Sequence, residues 1–330
     1  MHSPLVDTLL GWCWLPIAVA VHLAEGNRTA LHTIIGVVFV LSFAHQPLTL
    51  GLVYGDPVQV AAHQRLYRYA PFVAAALVVV GLNVSLTLVA LMAGLWNAEH
   101  TLMQRYGVMR IYGRKAGDDN GGLEKPMLIV WLVVAVAFIA AFTDLDTLIA
   151  KLDAGRTNER GIRLLAPLHT PARIGFWVLL VVALAMTARW IAAERRLGNR
   201  ASIAKHLYAL GTLGLLVAVM LDPIAGVAGY VAAHAIEYFS IVGRSLRGRS
   251  DDAPVARATS STAKRALVYT GYAVAILAVM RYARGPLNGN LYTFIVLFFG
   301  ALHILYDGFV WKLRRPQVAA MLGIEQPTPA

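Results

Sequence analysis

Long apolar runs alternate with short polar joints along almost the whole chain. A helix needs about 20 apolar residues to cross the hydrocarbon core of a bilayer. Nine stretches approach that length: 6–24, 30–53, 70–95, 126–148, 174–192, 205–221, 224–243, 266–284 and 291–312. The pattern predicts an all-α fold, a polytopic transmembrane helical bundle of about eight or nine spans, forming one integral-membrane domain over 1–330. The sixth and seventh runs are separated only by Asp222-Pro223. That pair suits a tight hairpin, with Asp222 as N-cap and Pro223 at the first helical position. The Gly/Asn clusters GRKAGDDNGG (113–122) and RGPLNGN (284–290) mark further joints. Residues 251–264 are expected to be a flexible cytoplasmic loop and 316–330 a C-terminal tail.

Composition agrees with that picture and excludes several others. Of 330 residues, 58% are hydrophobic and 14% charged, against roughly 25% charged in a soluble domain. A single cysteine, Cys13, rules out an internal disulfide and any cysteine-based zinc site. The start, MHSPLVDTLLGW, lacks a basic n-region and a small-residue cleavage site, so it is read as the first span.

The net charge of +11 does not point to nucleic acid, because the bases flank the apolar runs as the positive-inside rule expects. They concentrate in 105–125, 189–205, 244–265 and 312–315. Placing those four segments in the cytoplasm puts the N-terminus outside and the C-terminus inside, in a bacterial inner membrane. The segment 151–173 is also basic, yet this arrangement leaves it outside.

Ionisable side chains inside a bilayer are costly and mark function by default. Three of the ten histidines share a pattern. His100 has Asn97 three residues before it and Gln104 four after it. His234 is followed by Glu237 and Tyr238, and His303 by Asp307. Residues three or four apart lie on one helix face, so each histidine brings a polar partner on its own stripe. At 1.5 Å rise per residue, His100, His234 and His303 lie roughly 7, 15 and 13 Å in from the nearest cytoplasmic base. His45 is roughly 25 Å from Arg28 on the same count, with Pro47 able to kink its helix. It is a fourth candidate ligand. His22, His32, His63, His169 and His206 fall in or near the joints.

Imidazole with carboxylate suits an open non-haem iron site. The expected metal ligands are His45, His100, His234, His303, Glu237 and Asp307. Glu237 and Asp307 are also the candidate catalytic groups, while Asn97, Gln104 and Tyr238 would hydrogen-bond around the cofactor.

An all-helical membrane chain with widely separated histidines and HxxE and HxxxD faces resembles the histidine-rich membrane non-haem iron oxygenases. Among them it looks most like the bacterial carotene-cleaving Brp/Blh type, through His45, His100, His234 and His303. The HxxxH and HxxHH boxes of membrane desaturases are absent. The resemblance implies oxygen-dependent oxidation; the donor set suits one or two iron ions, the expected substrate is lipid-soluble and enters from the bilayer, and any electrons needed would come from a redox partner. The residues leave two alternatives open: a haem-b or quinone-linked electron-transfer protein, and a proton-coupled transporter.

Overall fold

The computed structural model describes residues 4–118, 121–152, 163, 166–247, 259–284 and 289–312. Most of the expected loop at 251–264 and the tail at 316–330 lie outside them. Among the described residues there are thirteen α-helices and no strand. They are α1 (Pro4–Trp12), α2 (Trp14–Ala24), α3 (Arg28–Tyr54), α4 (Pro57–Ala62), α5 (Gln64–Val84), α6 (Leu86–Lys115) and α7 (Glu124–Phe142). They continue with α8 (Leu145–Leu152), α9 (His169–Arg196), α10 (Ile203–Leu221), α11 (Pro223–Arg247), α12 (Thr262–Arg284) and α13 (Gly289–Val310). Nine helical segments among the described residues are long and apolar enough to cross a membrane, and the protein is a multi-pass membrane protein.

The largest departure from the expected spans is at 70–95, which is two helices. Ser85 adopts an extended conformation and ends α5. A Cβ placed on Gly81 would lie 2.5 Å from Val89 Cγ2, so the chain reverses sharply there. The 30-residue α6 is about 45 Å long. It is too polar to register as an apolar run, yet His100, Thr101, Arg105 and Arg110 on it are all buried.

The chain forms two compact units, Met1–Val38 with Ala90–His234, and Phe39–Val89 with Ala235–Ala330. Helices α3, α6 and α11 each contribute to both.

In the first unit, α7 and α9 pack through Val134, Phe176 and Ala183, and Trp131 Nε1 donates to Thr187 Oγ1 at 2.9 Å. Between helices in lipid there is no hydrophobic drive, so small residues and polar contacts specify the fit. α1 and α10 meet in this way. A Cβ on Gly211 would lie 2.7 Å from the Gly11 carbonyl oxygen, and one on Gly11 would lie 2.9 Å from Tyr208. That carbonyl accepts from Arg105 Nη2 at 2.7 Å, whose Nε donates to Thr212 Oγ1 at 2.9 Å.

Gly11 therefore lies beside Gly211 while His22 reaches Asp222 at 2.7 Å, so α1–α2 and α10 run in the same direction. The expected topology had these spans antiparallel. α6 explains the difference, because one more pass before residue 115 reverses every helix that precedes it.

A second set of contacts closes one end of this unit. Lys205 Nζ donates to Asp118 (2.7 Å), Glu124 (3.0 Å) and Glu194 (2.6 Å). Arg110 Nη1 reaches Asp118 and Glu124 at 3.1 and 3.2 Å. His206 Nε2 lies 2.8 Å from Glu194. Gly117, with φ +81°, occupies the left-handed region as the chain leaves α6. At Gly121 a Cβ would sit 2.5 Å from Arg110 Nε.

In the second unit, α3 and α13 run in parallel. Successive contacts are Phe39 with Tyr292, Phe43 with Phe299, and His45 with His303. Tyr54, Tyr67 and Tyr306 gather at one end, where the Tyr54 hydroxyl donates to the Tyr67 carbonyl at 2.6 Å and meets Tyr306 Oη at 2.8 Å. Pro47 lies inside α3, where its missing N–H leaves the carbonyl four residues earlier without its helical donor. In the same turn the Tyr272 hydroxyl donates to the Ala44 carbonyl.

Candidate metal centre

The second unit brings His45, Thr49, Tyr238, His303 and Asp307 into one buried cluster, each under 10% exposed. His45 and Thr49 are one turn apart on α3, Tyr238 comes from α11, and His303 and Asp307 are one turn apart on α13. The parallel run of α3 and α13 sets the two histidine-bearing turns side by side.

The polar contacts form a single network. Asp307 Oδ1 accepts from the Tyr238 hydroxyl at 3.0 Å and from the Thr49 hydroxyl at 3.1 Å. Thr49 Oγ1 lies 2.5 Å from Tyr238 Oη and 2.7 Å from His303 Nδ1. The Thr49 contact occupies His303 Nδ1 and turns the other ring nitrogen inward; a His303 that donates from Nδ1 keeps a lone pair for a ligand role on Nε2. His45 Nε2 lies 3.2 Å from that nitrogen and Asp307 Oδ2 lies 3.8 Å from it. The rings of His45 and His303 are nearly perpendicular, at 81° with centroids 4.6 Å apart.

Two ligands on adjacent positions of a first-row metal are about 3.0 to 3.4 Å apart, given bonds of about 2.1 Å. The separation of the two Nε2 atoms is in that range. His45, His303 and, after a small inward movement, Asp307 have the donor chemistry of a two-histidine, one-carboxylate site. Thr49 and Tyr238 hold the imidazole and carboxylate in orientation.

The remaining candidates are placed as follows. His100 and His234 are buried in the first unit, edge to face at 86° with centroids 5.0 Å apart. Gln104 Nε2 donates to the His234 carbonyl at 3.1 Å. Asn97 is half-buried on α6 and Glu237 is buried on α11. His63 packs edge to face on Phe309 in the second unit, whereas His206 and His22 belong to ion pairs of the first unit. His32 is exposed and His169 half-buried.

Thr49 was not among the sequence candidates. Its signal was its position four residues after His45, the spacing that had marked Asp307 after His303. A hydroxyl is common enough in membrane helices for that spacing to carry little weight alone.

No family model matches the chain, and comparison with curated proteins and with solved structures found no match.

Proposed function

We propose that the protein is an integral-membrane, metal-dependent oxidoreductase acting on a lipid-soluble substrate. The observation that supports this reading best is the pair of Nε2 atoms 3.2 Å apart, with a carboxylate oxygen 3.8 Å from one of them, buried in a helical membrane protein. Such a convergence of donors is unfavourable unless a proton or a cation joins them.

In this reading His45, His303 and Asp307 hold a non-haem iron ion, which supplies oxygen activation when bound. Thr49 and Tyr238 orient its ligands. The surrounding helices exclude water and would admit a hydrophobic substrate from the bilayer, with electrons supplied by a redox partner. Oxygenase, hydroxylase and desaturase chemistry are all compatible with this donor set.

The geometry favours this reading over haem b. Axial imidazoles on a haem need Nε2 atoms about 4 Å apart, twice a metal–nitrogen bond, with a macrocycle between them. His45 and His303 are closer than that and meet edge to face. Metal analysis of detergent-purified protein tests the proposal. About one iron per chain or more is expected, with its loss in His303→Ala. A folded, metal-free protein would defeat the reading, and a Soret band would replace it with the haem alternative. The same assay on His100→Ala reads whether the histidine pair of the first unit holds an ion of its own.

A further inference from the structure

We propose that His22, Glu25 and Asp222 form a second cation site, selective for a borderline divalent ion such as zinc, at the turn end of the first unit. It lies apart from the buried cluster in the chain and does not depend on the function proposed for that cluster.

The three residues are positioned by local structure. His22 is on the last turn of α2, and Glu25, three residues on, caps that helix. Asp222 caps α11, with Oδ1 accepting from the Ala225 N–H at 3.0 Å. Its other oxygen therefore points away from the helix and lies 2.7 Å from His22 Nδ1. One donor atom from each of the three residues lies within 4.8 Å of the other two.

Glu25 adds a second observation. Lys151 Nζ holds its Oε2 at 2.5 Å, but Oε1 is buried with no hydrogen bond. A buried carboxylate oxygen left unsatisfied costs free energy, and a cation shared with Asp222 and His22 would remove that cost. A nitrogen and two carboxylate oxygens suit zinc at bonds of about 2.0 to 2.2 Å, with a remaining position open.

Without a divalent ion His22 is hydrogen-bonded to Asp222 and Lys151 is ion-paired with Glu25. A divalent ion would take the place of the hydrogen between His22 and Asp222 and of the Lys151 ammonium, and binding would release protons. Lys151 is free to leave, since its side chain is 40% exposed. Asp222 and Lys151 also line a pocket of about 330 Å³ walled by Phe138, Phe142 and Leu221. That pocket gives an ion a route in and gives its open position a neighbouring space.

The test is Co²⁺ titration of the full-length protein in detergent after EDTA treatment, read by visible absorption and by Zn²⁺ competition. The expected result is a Co²⁺ spectrum displaced by Zn²⁺ that survives His303→Ala. Asp222→Asn, which can still cap α11, should weaken binding at least about tenfold, and His22→Gln likewise. Lys151→Met removes the competing cation and should strengthen binding several-fold. Equal Co²⁺ affinity in the wild type and Asp222→Asn would overturn the proposal. So would the absence of binding by both the wild type and Lys151→Met, which would leave the four residues as ion pairs only.

Discussion

His45 and His303, 258 residues apart in the chain, present their Nε2 atoms to each other at 3.2 Å. His45 is nine residues from the end of α3 at Tyr54 and His303 seven from the end of α13 at Val310, or about 13 and 10 Å along the axis. Their similar depth follows from the parallel packing of α3 and α13.

If the Thr49 hydroxyl fixes the His303 tautomer, Thr49→Val should retain the fold and weaken metal binding by about 10 to 100-fold. Thr49→Ser should retain most of the affinity. Competition with a graded series of chelators measures both, and equal affinity in the wild type and Thr49→Val would show that the hydroxyl does not support the ligand.

Asp307→Asn removes the negative charge while keeping most of the shape. Iron content should fall well below that of the wild type, with little change in thermal stability. A large loss of stability with metal retained would instead make Asp307 a structural acceptor for Thr49 and Tyr238.

Lys205→Met should be among the most destabilising substitutions in the first unit. It leaves Asp118 and Glu124 buried beside Arg110, and Glu194 beside His206, without the ammonium that joins all three carboxylates. Breaking a buried ion pair on one side costs about 3–5 kcal/mol. Thermal unfolding in detergent measures the loss, and a shift of less than a degree or two would show that water already solvates the network.

Gly211→Ala inserts a methyl group where the Gly11 carbonyl lies 2.7 Å away. The crossing of α1 and α10 must open, at a cost of about 1–3 kcal/mol. Gly214→Ala, with ordinary contact to Trp14 at 3.4 Å, is the matched control and should cost less.

Asp144 is held below its ordinary carboxylate range by the Thr147 hydroxyl and by the backbone N–H groups of Thr147 and Asp146. A lowered folded-state value means that its contribution is present at neutral pH and lost as pH falls through that value. The difference in melting temperature between wild type and Asp144→Ala should therefore be present at pH 7 and vanish at strongly acidic pH, below its lowered value. A difference that is the same at both pH values would show that ionisation of Asp144 is irrelevant to the cap.

Much of this fold was legible in the apolar runs, because a helix that faces lipid must be apolar over a fixed length whatever it packs against. The Asp222-Pro223 hairpin was legible too, since capping is local chemistry, and Asp222 does cap α11. α6 was not, for the same physical reason in reverse. A helix with one face packed against the protein can carry His100, Arg105 and Arg110 on that face, and it then loses the signal that identifies a pass. Missing it reversed the preceding spans, and so His45, a fourth candidate ligand, was measured from Arg28, the opposite end of its helix from the one it shares with His303, and was placed deeper than the other three.

The partners of the candidate residues were legible only in kind. Helical spacing put Gln104 with His100 and Asp307 with His303. Hydrogen bonds also run between helices, from Gln104 to the His234 carbonyl and from Thr49 and Tyr238 to Asp307. By itself the sequence determined that this is a helical membrane protein rich in buried imidazole and carboxylate, because lipid solvation constrains composition residue by residue. Which rings face each other was decided only by tertiary structure, since it depends on the direction of each pass and on contacts between residues hundreds of positions apart.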